Sequence, residues 1–190
     1  MDNNWREEAA QCWSVLGEIA LDENLLPEAD AQIATAEGIY RSGHTVAQLP
    51  RVLIARGELE RRRGNREQAG AAIEEALTLA APRQMKLDHA DTLLLRARLE
   101  LDQAAGATRS VSEASANQAN DDAEGALTIA RECGYVWMER DALNLLARGH
   151  EMLGSMDRGQ GFLREATLLS DRLRDRSAPQ SPHGELRAKP

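Results

Sequence analysis

The chain has 190 residues, enough for one compact domain or one short repeat array. Apolar residues supply 42% of it and aromatic residues only 3%, so the core must be built largely from Ala and Leu, which favours closely packed helices over a sheet. A formal net charge of −8 disfavours nucleic acid, which requires clustered Lys and Arg, and no apolar run reaches the length of a bilayer span.

The predicted elements follow in chain order. A first helix is expected over 4–21 and a second over 27–42, with Pro27 in its opening turn, where a missing N–H costs little. A third, over 48–63, begins around Pro50 and ends on Arg61-Arg62-Arg63, whose charge meets the negative end of the helix dipole. Gly64 suits the turn into a fourth helix over 66–81. A fifth helix is expected over 86–104. The next stretch, 105–117, is rich in Ala, Gly, Ser and Thr, lacks periodicity and reads as a loop insertion. Helices over 117–133, 137–153 and 157–174 follow, with Gly154 in the last turn. Residues 175–190 are polar and Pro-rich and are expected to be a disordered tail.

The charge is uneven. Residues 1–40 hold nine acidic side chains against Arg6 alone, so the whole net charge lies there. The first residues lack the apolar core of a secretory signal. Cys12 and Cys133 are too few and too isolated for a disulfide framework or a zinc site, so the expected setting is a reducing cytoplasm.

A repeat dominates the pattern. Ala36, Ala76, Ala126 and Ala166 lie 40, 50 and 40 residues apart. Seven residues before them stand Ala29, Ala69, Ala119 and Gly159; three before stand Ile33, Ile73, Ala123 and Leu163. This spacing puts small and apolar residues on one helical face in every unit. A preceding helix carries Gly17, Gly57 and Ala147 nineteen residues before three of the alanines. In the third unit the string Ala97-Arg98-Leu99-Glu100-Leu101 parallels Ala55-Arg56-Gly57-Glu58-Leu59, an offset of 42. The underlying period is therefore about 40 residues, with each unit a helix hairpin stabilised by stacking on its neighbours.

The run Trp13-x2-Leu16-Gly17-x2-Ala20, followed by Ala29-x3-Ile33 and Ala36, resembles the tetratricopeptide repeat, although Ala20 replaces the usual Tyr and the closing Pro is absent. The period near 40, the runs 49–56 and 85–99, and Glu132-Cys133-Gly134-Tyr135 resemble the longer variant attached to bacterial signal-transduction NTPases. The resemblance implies an all-α, right-handed superhelical solenoid of about four hairpins. It implies a repeat domain over 1–174, with units of about 4–43, 48–83, 86–134 and 137–174. It also implies a non-catalytic scaffold that binds a protein or peptide in a concave groove. The alternative is a ligand- or peptide-sensing arm of such an NTPase system.

No catalytic or metal-binding pattern stands out: there is no phosphate-binding Gly-x4-Gly-Lys-Ser/Thr loop and no His-Glu-x2-His. His44, His89, His150 and His183 are scattered and read as surface or turn residues. No cofactor or metal is expected, nor a nucleic-acid or membrane partner. If the first helices of the hairpins line the groove, its candidates are Gln11, Ser14 and Glu18; Arg51, Ile54 and Glu58; Leu93, Arg96 and Glu100; and Asp141, Asn144 and Arg148. Glu18, Glu58 and Glu100 would form an acidic ladder for a basic segment, or be neutralised by Arg51, Arg96 and Arg148 as exposed ion pairs. The Lys/Asn clamp by which some tetratricopeptide proteins hold carboxylates is not matched at Ser14, Glu18 and Ala55. Trp5 is expected to cap the open N-terminal end of the core, with an anchor for a partner as the other reading.

Overall fold

The computed structural model describes residues 3–43, 46–80 and 85–177. Among the described residues there are eight α-helices and no strand. They are α1 (Asn3–Asp22), α2 (Leu26–Ser42), α3 (Leu49–Arg62), α4 (Arg66–Ala80), α5 (Lys86–Ala104), α6 (Arg109–Cys133), α7 (Val136–Met152) and α8 (Met156–Ser177), with a 3₁₀ turn at Val46–Gln48 before α3. Consecutive helices pair as hairpins, α1 with α2 through α7 with α8, and the hairpins stack in chain order.

Local chemistry sets the boundaries. Pro27 and Pro50 lie in the first turns of α2 and α3. Arg61 and Arg62 occupy the last turn of α3, and Arg62 donates to the carbonyl of Leu21 across the hairpin boundary. Gly64, Gly134 and Gly154 take φ of +78°, +69° and +74°, the left-handed region open to glycine, each in a tight turn between helices.

The small-residue stripe fills the interior. Ala36, Ala76, Ala126 and Ala166 are all buried, as are Ala29, Ala69 and Ala119 beneath them. Gly17 explains why: a Cβ there would lie 2.7 Å from Ile33 Cγ1, so α1 and α2 touch only because the residue has no side chain. Gly57 meets Leu95 and Ile73 in the same way, at 2.9 and 3.3 Å.

Ion pairs repeat with the fold. Arg41 of α2 bridges to Glu75 of α4 at 2.7 Å, and Arg131 of α6 bridges to Glu165 of α8 at 2.5 Å; both partners are shifted by the same 90 residues. Arg56 reaches from α3 back to Asp30 and Glu37 of α2 at 2.6 and 3.3 Å. Forty residues later, Arg96 of α5 reaches Glu74 of α4 at 3.1 Å and the buried Asp122 of α6 at 2.7 Å.

Three expectations are corrected. The loop insertion over 105–117 shrinks to the turn 105–108, because α6 begins at Arg109 and gains about two turns. Its first residues are mostly exposed, so they carry no apolar periodicity, yet an Arg109–Glu113 pair one turn apart supports the helix. His150 is buried and stacks on Phe162 with ring centroids 5.4 Å apart, and so is neither a surface nor a turn residue. Trp5 is exposed and covers no core. Of the expected tail, residues 178–190 lie outside the described residues, while α8 runs to Ser177.

Candidate binding cleft

The first helices α1, α3 and α5 lie side by side and enclose a cleft of about 250 Å³. Its floor is apolar: Leu21, Ile54, Ala55 and Leu95. Its rim carries five carboxylates, Glu18, Asp22, Glu58, Asp88 and Asp91, against three guanidiniums, Arg51, Arg62 and Arg98.

Two of the carboxylates are committed to neighbours. Glu18 of α1 accepts two hydrogen bonds from Arg51 of α3, at 2.8 and 2.9 Å, tying the first two hairpins together across the cleft. Glu58 accepts from Arg61 at 2.9 and 3.0 Å and from Arg62 at 2.5 Å. Burial alone would raise the Glu58 carboxyl, but these guanidiniums outweigh it and hold the pKa below its ordinary value.

Asp88 and Asp91 differ. They stand three residues apart on the cleft side of α5, and neither side chain has an ion pair among the described residues. Surrounding protein raises the Asp88 pKa against the pull of Arg51. The same desolvation, reinforced by the like charge of Asp88, lifts Asp91 to about 6 despite Arg51 and Arg98. Asp91 is open to water at the mouth of the cleft while protein walls it on its other sides. The cleft therefore holds unneutralised negative charge above an apolar floor.

Four of the candidates read from the sequence meet here: Glu18, Arg51, Ile54 and Glu58. The others do not line the cleft. Gln11 is exposed outside it, and Ser14 is buried. Arg96 turns to Asp122 and Glu74, and Glu100 receives Arg66 at 3.3 Å. Leu93 is buried, in contact range of Gly125. On α7, Asn144 is half-buried and Arg148 exposed, while Asp141 pairs with Arg98 at 3.5 Å and Arg140 at 2.7 Å. The acidic ladder thus has two rungs, Glu18 and Glu58, and Glu100 is not a third.

The reason is register. The similar strings suggest an offset of 42, whereas the structure pairs α3 with α5 at an offset of 40. Two residues turn a helix by about 200°, which exchanges the two faces of α5. At an offset of 40, Arg51 maps to Asp91, Ala55 to Leu95 and Glu58 to Arg98, all cleft residues. That mapping would have found Asp91, Leu95 and Arg98 from sequence alone. The excess ten residues of the third unit instead lie between α5 and the buried stripe of α6.

Among the described residues, no group of three or more His, Cys, Asp or Glu side chains is arranged to hold a metal, and no helix is long and apolar enough to cross a membrane. A scan against protein-family models finds none that matches the chain, and no curated protein is significantly similar to it.

Proposed function

We propose that the chain is a non-catalytic protein-interaction scaffold of tetratricopeptide type. Its cleft between α1, α3 and α5 receives a peptide segment bearing an aliphatic residue flanked by Lys or Arg. The observation that carries this reading is the pairing of Asp88 and Asp91, which lack ion-pair partners among the described residues, with the apolar floor of Ile54 and Leu95. A cationic side chain would relieve the repulsion between the two carboxylates, and an aliphatic one would cover the floor. The size of the cleft supports a peptide over an enclosed small molecule. About 250 Å³ falls below the roughly 300–1,000 Å³ of pockets that surround a drug-sized ligand.

The test is a titration of the full chain with a fluorescent Lys-Leu-Lys-containing peptide and its Glu-Leu-Glu counterpart. The Lys peptide should bind, its affinity falling with added salt because rim charges are screened over about 8–10 Å. The Glu peptide should not bind. Asp88→Asn with Asp91→Asn should weaken the Lys peptide about tenfold, corresponding to roughly 1.4 kcal/mol. Native affinity in that double variant would refute the assignment of the cleft.

A further inference from the structure

A segment of this same chain has the chemistry that the cleft between α1, α3 and α5 asks of an occupant. The rim sets five carboxylates against three guanidiniums, which leaves two negative charges over the apolar floor. An occupant that matches it brings two cations and an aliphatic group. Outside the described residues the sequence holds one leucine and neither isoleucine nor valine. That leucine is Leu186, and Arg187 and Lys189 follow it. Leu186-Arg187-Ala188-Lys189 thus carries two positive charges and no negative one, equal and opposite to the rim. The basic run Arg61-Arg62-Arg63, by contrast, is already paired, with Asp102, Glu58 and Asp30.

The topology brings the segment within reach. The end of α8 lies beside the start of α7, because Ser170, Leu173 and Arg174 share a groove with Trp137 and Arg140. From there contacts lead directly to the cleft. Arg140 pairs with Asp141 at 2.7 Å, Asp141 pairs with Arg98 of α5 at 3.5 Å, and Arg98 lines the rim. α8 packs on α7 and α7 on α5, so the path crosses two helix spacings of about 8–10 Å each. Leu186 stands nine residues beyond Ser177, where α8 ends. Nine extended residues span about 30 Å, enough to cross both spacings and descend to Asp88 and Asp91.

Tethering makes a weak match sufficient. A segment on a short linker acts at a concentration of about a millimolar, so an intrinsic Kd of about 0.1 mM would fill the cleft in about nine chains of ten. An external peptide would then bind about tenfold more weakly than to an empty cleft.

We propose that Leu186–Lys189 occupies the cleft of its own chain, as a tethered competitor that any external peptide must displace. The proposal rests on the reading of the cleft as a site for a basic segment with an aliphatic residue, and adds to it a built-in regulation.

The test is the affinity of the full chain and its variants for the fluorescent Lys-Leu-Lys peptide. Arg187→Gln with Lys189→Gln should bind that peptide about tenfold more tightly than the unaltered chain. Leu186→Ser, which changes no charge, should also bind it several-fold more tightly, and this separates occupancy from long-range attraction. With Asp88→Asn and Asp91→Asn also present, the tail substitutions should gain nothing. A second measurement needs no peptide. With Cys12 and Cys133 replaced by Ser, the thiol of Arg98→Cys should be labelled several-fold faster once Arg187 and Lys189 are Gln, and by the same factor at every protein concentration. Peptide binding of equal strength in the unaltered chain and both tail variants would overturn this proposal and leave the cleft reading standing. Absence of peptide binding from all of them would overturn both. Protection of position 98 that grows with protein concentration would overturn it too, by placing the segment in the cleft of a second copy.

Discussion

α1 and α3 occupy the same place in successive hairpins and meet opposite surroundings. α3 is sandwiched: Leu49, Val52, Leu53 and Leu59 are buried, and its remaining cleft side offers Arg51, Ile54 and Glu58. The equivalent positions of α1, Ala9, Cys12, Trp13 and Ile19, face solvent. At the other end of the stack, Thr167 and Ser170 of α8 stand where α6 has Leu127 and Ala130, while Met156, Leu163 and Leu168 of α8 are exposed.

The largest test of this contrast is a pair of truncations at one repeat position. Leu59→Ala removes a fully buried side chain and should cost about 2–5 kcal/mol, whereas Ile19→Ala, half-exposed, should cost about 1 kcal/mol or less. Denaturant midpoints at unchanged slope measure both, and equal costs would mean that the two faces are alike. Next come the glycines of the first hairpin. Gly17→Ala forces a Cβ onto Ile33 and should destabilise by about 1–3 kcal/mol. Gly38→Ala, in the interior of α2 with no atom within 4 Å, should stabilise by about 0.5–1 kcal/mol, because alanine loses less backbone freedom in a helix. Smaller still are the exposed bridges along the second helices. Double-mutant cycles on Arg41–Glu75 and Arg131–Glu165 should each give about 0.2–1 kcal/mol and shrink in high salt.

The cleft adds a pH signature. Asp91 has a raised carboxyl pKa, so the folded chain binds that proton more tightly than the unfolded chain does. Stability should therefore rise as pH falls from about 6 towards about 4, and Asp91→Asn should abolish that increment. Thermal melts across this range would contradict the reading if the variant kept the full rise.

Much of this was legible in the sequence. Seven of the eight helices begin and end within a residue or three of their expected limits because their signals are local: prolines in first turns, glycines after last turns and a small-residue stripe every 40 residues. The start of α6 was illegible because its added turns face solvent, where Ala, Ser and Glu form helix without an apolar rhythm. The face of α5 was misread because Ala-Arg-x-Glu-Leu is a short string, and a two-residue slip costs nothing in string similarity while reversing a helix. The equivalence of Leu53 with Leu93, and of Gly57 with Ala97, carries the true register, since these are packing positions.

The register of α5 and the identity of the cleft can be tested together by footprinting. With Cys12 and Cys133 replaced by Ser, single cysteines at positions 91, 96, 98 and 100 would be labelled with and without the Lys-Leu-Lys peptide. Labelling at 91 and 98 should slow when the peptide is present, while 96 and 100 should be unaffected. Protection at 96 and 100, with 91 and 98 unchanged, would place the other face of α5 in the groove and contradict the account.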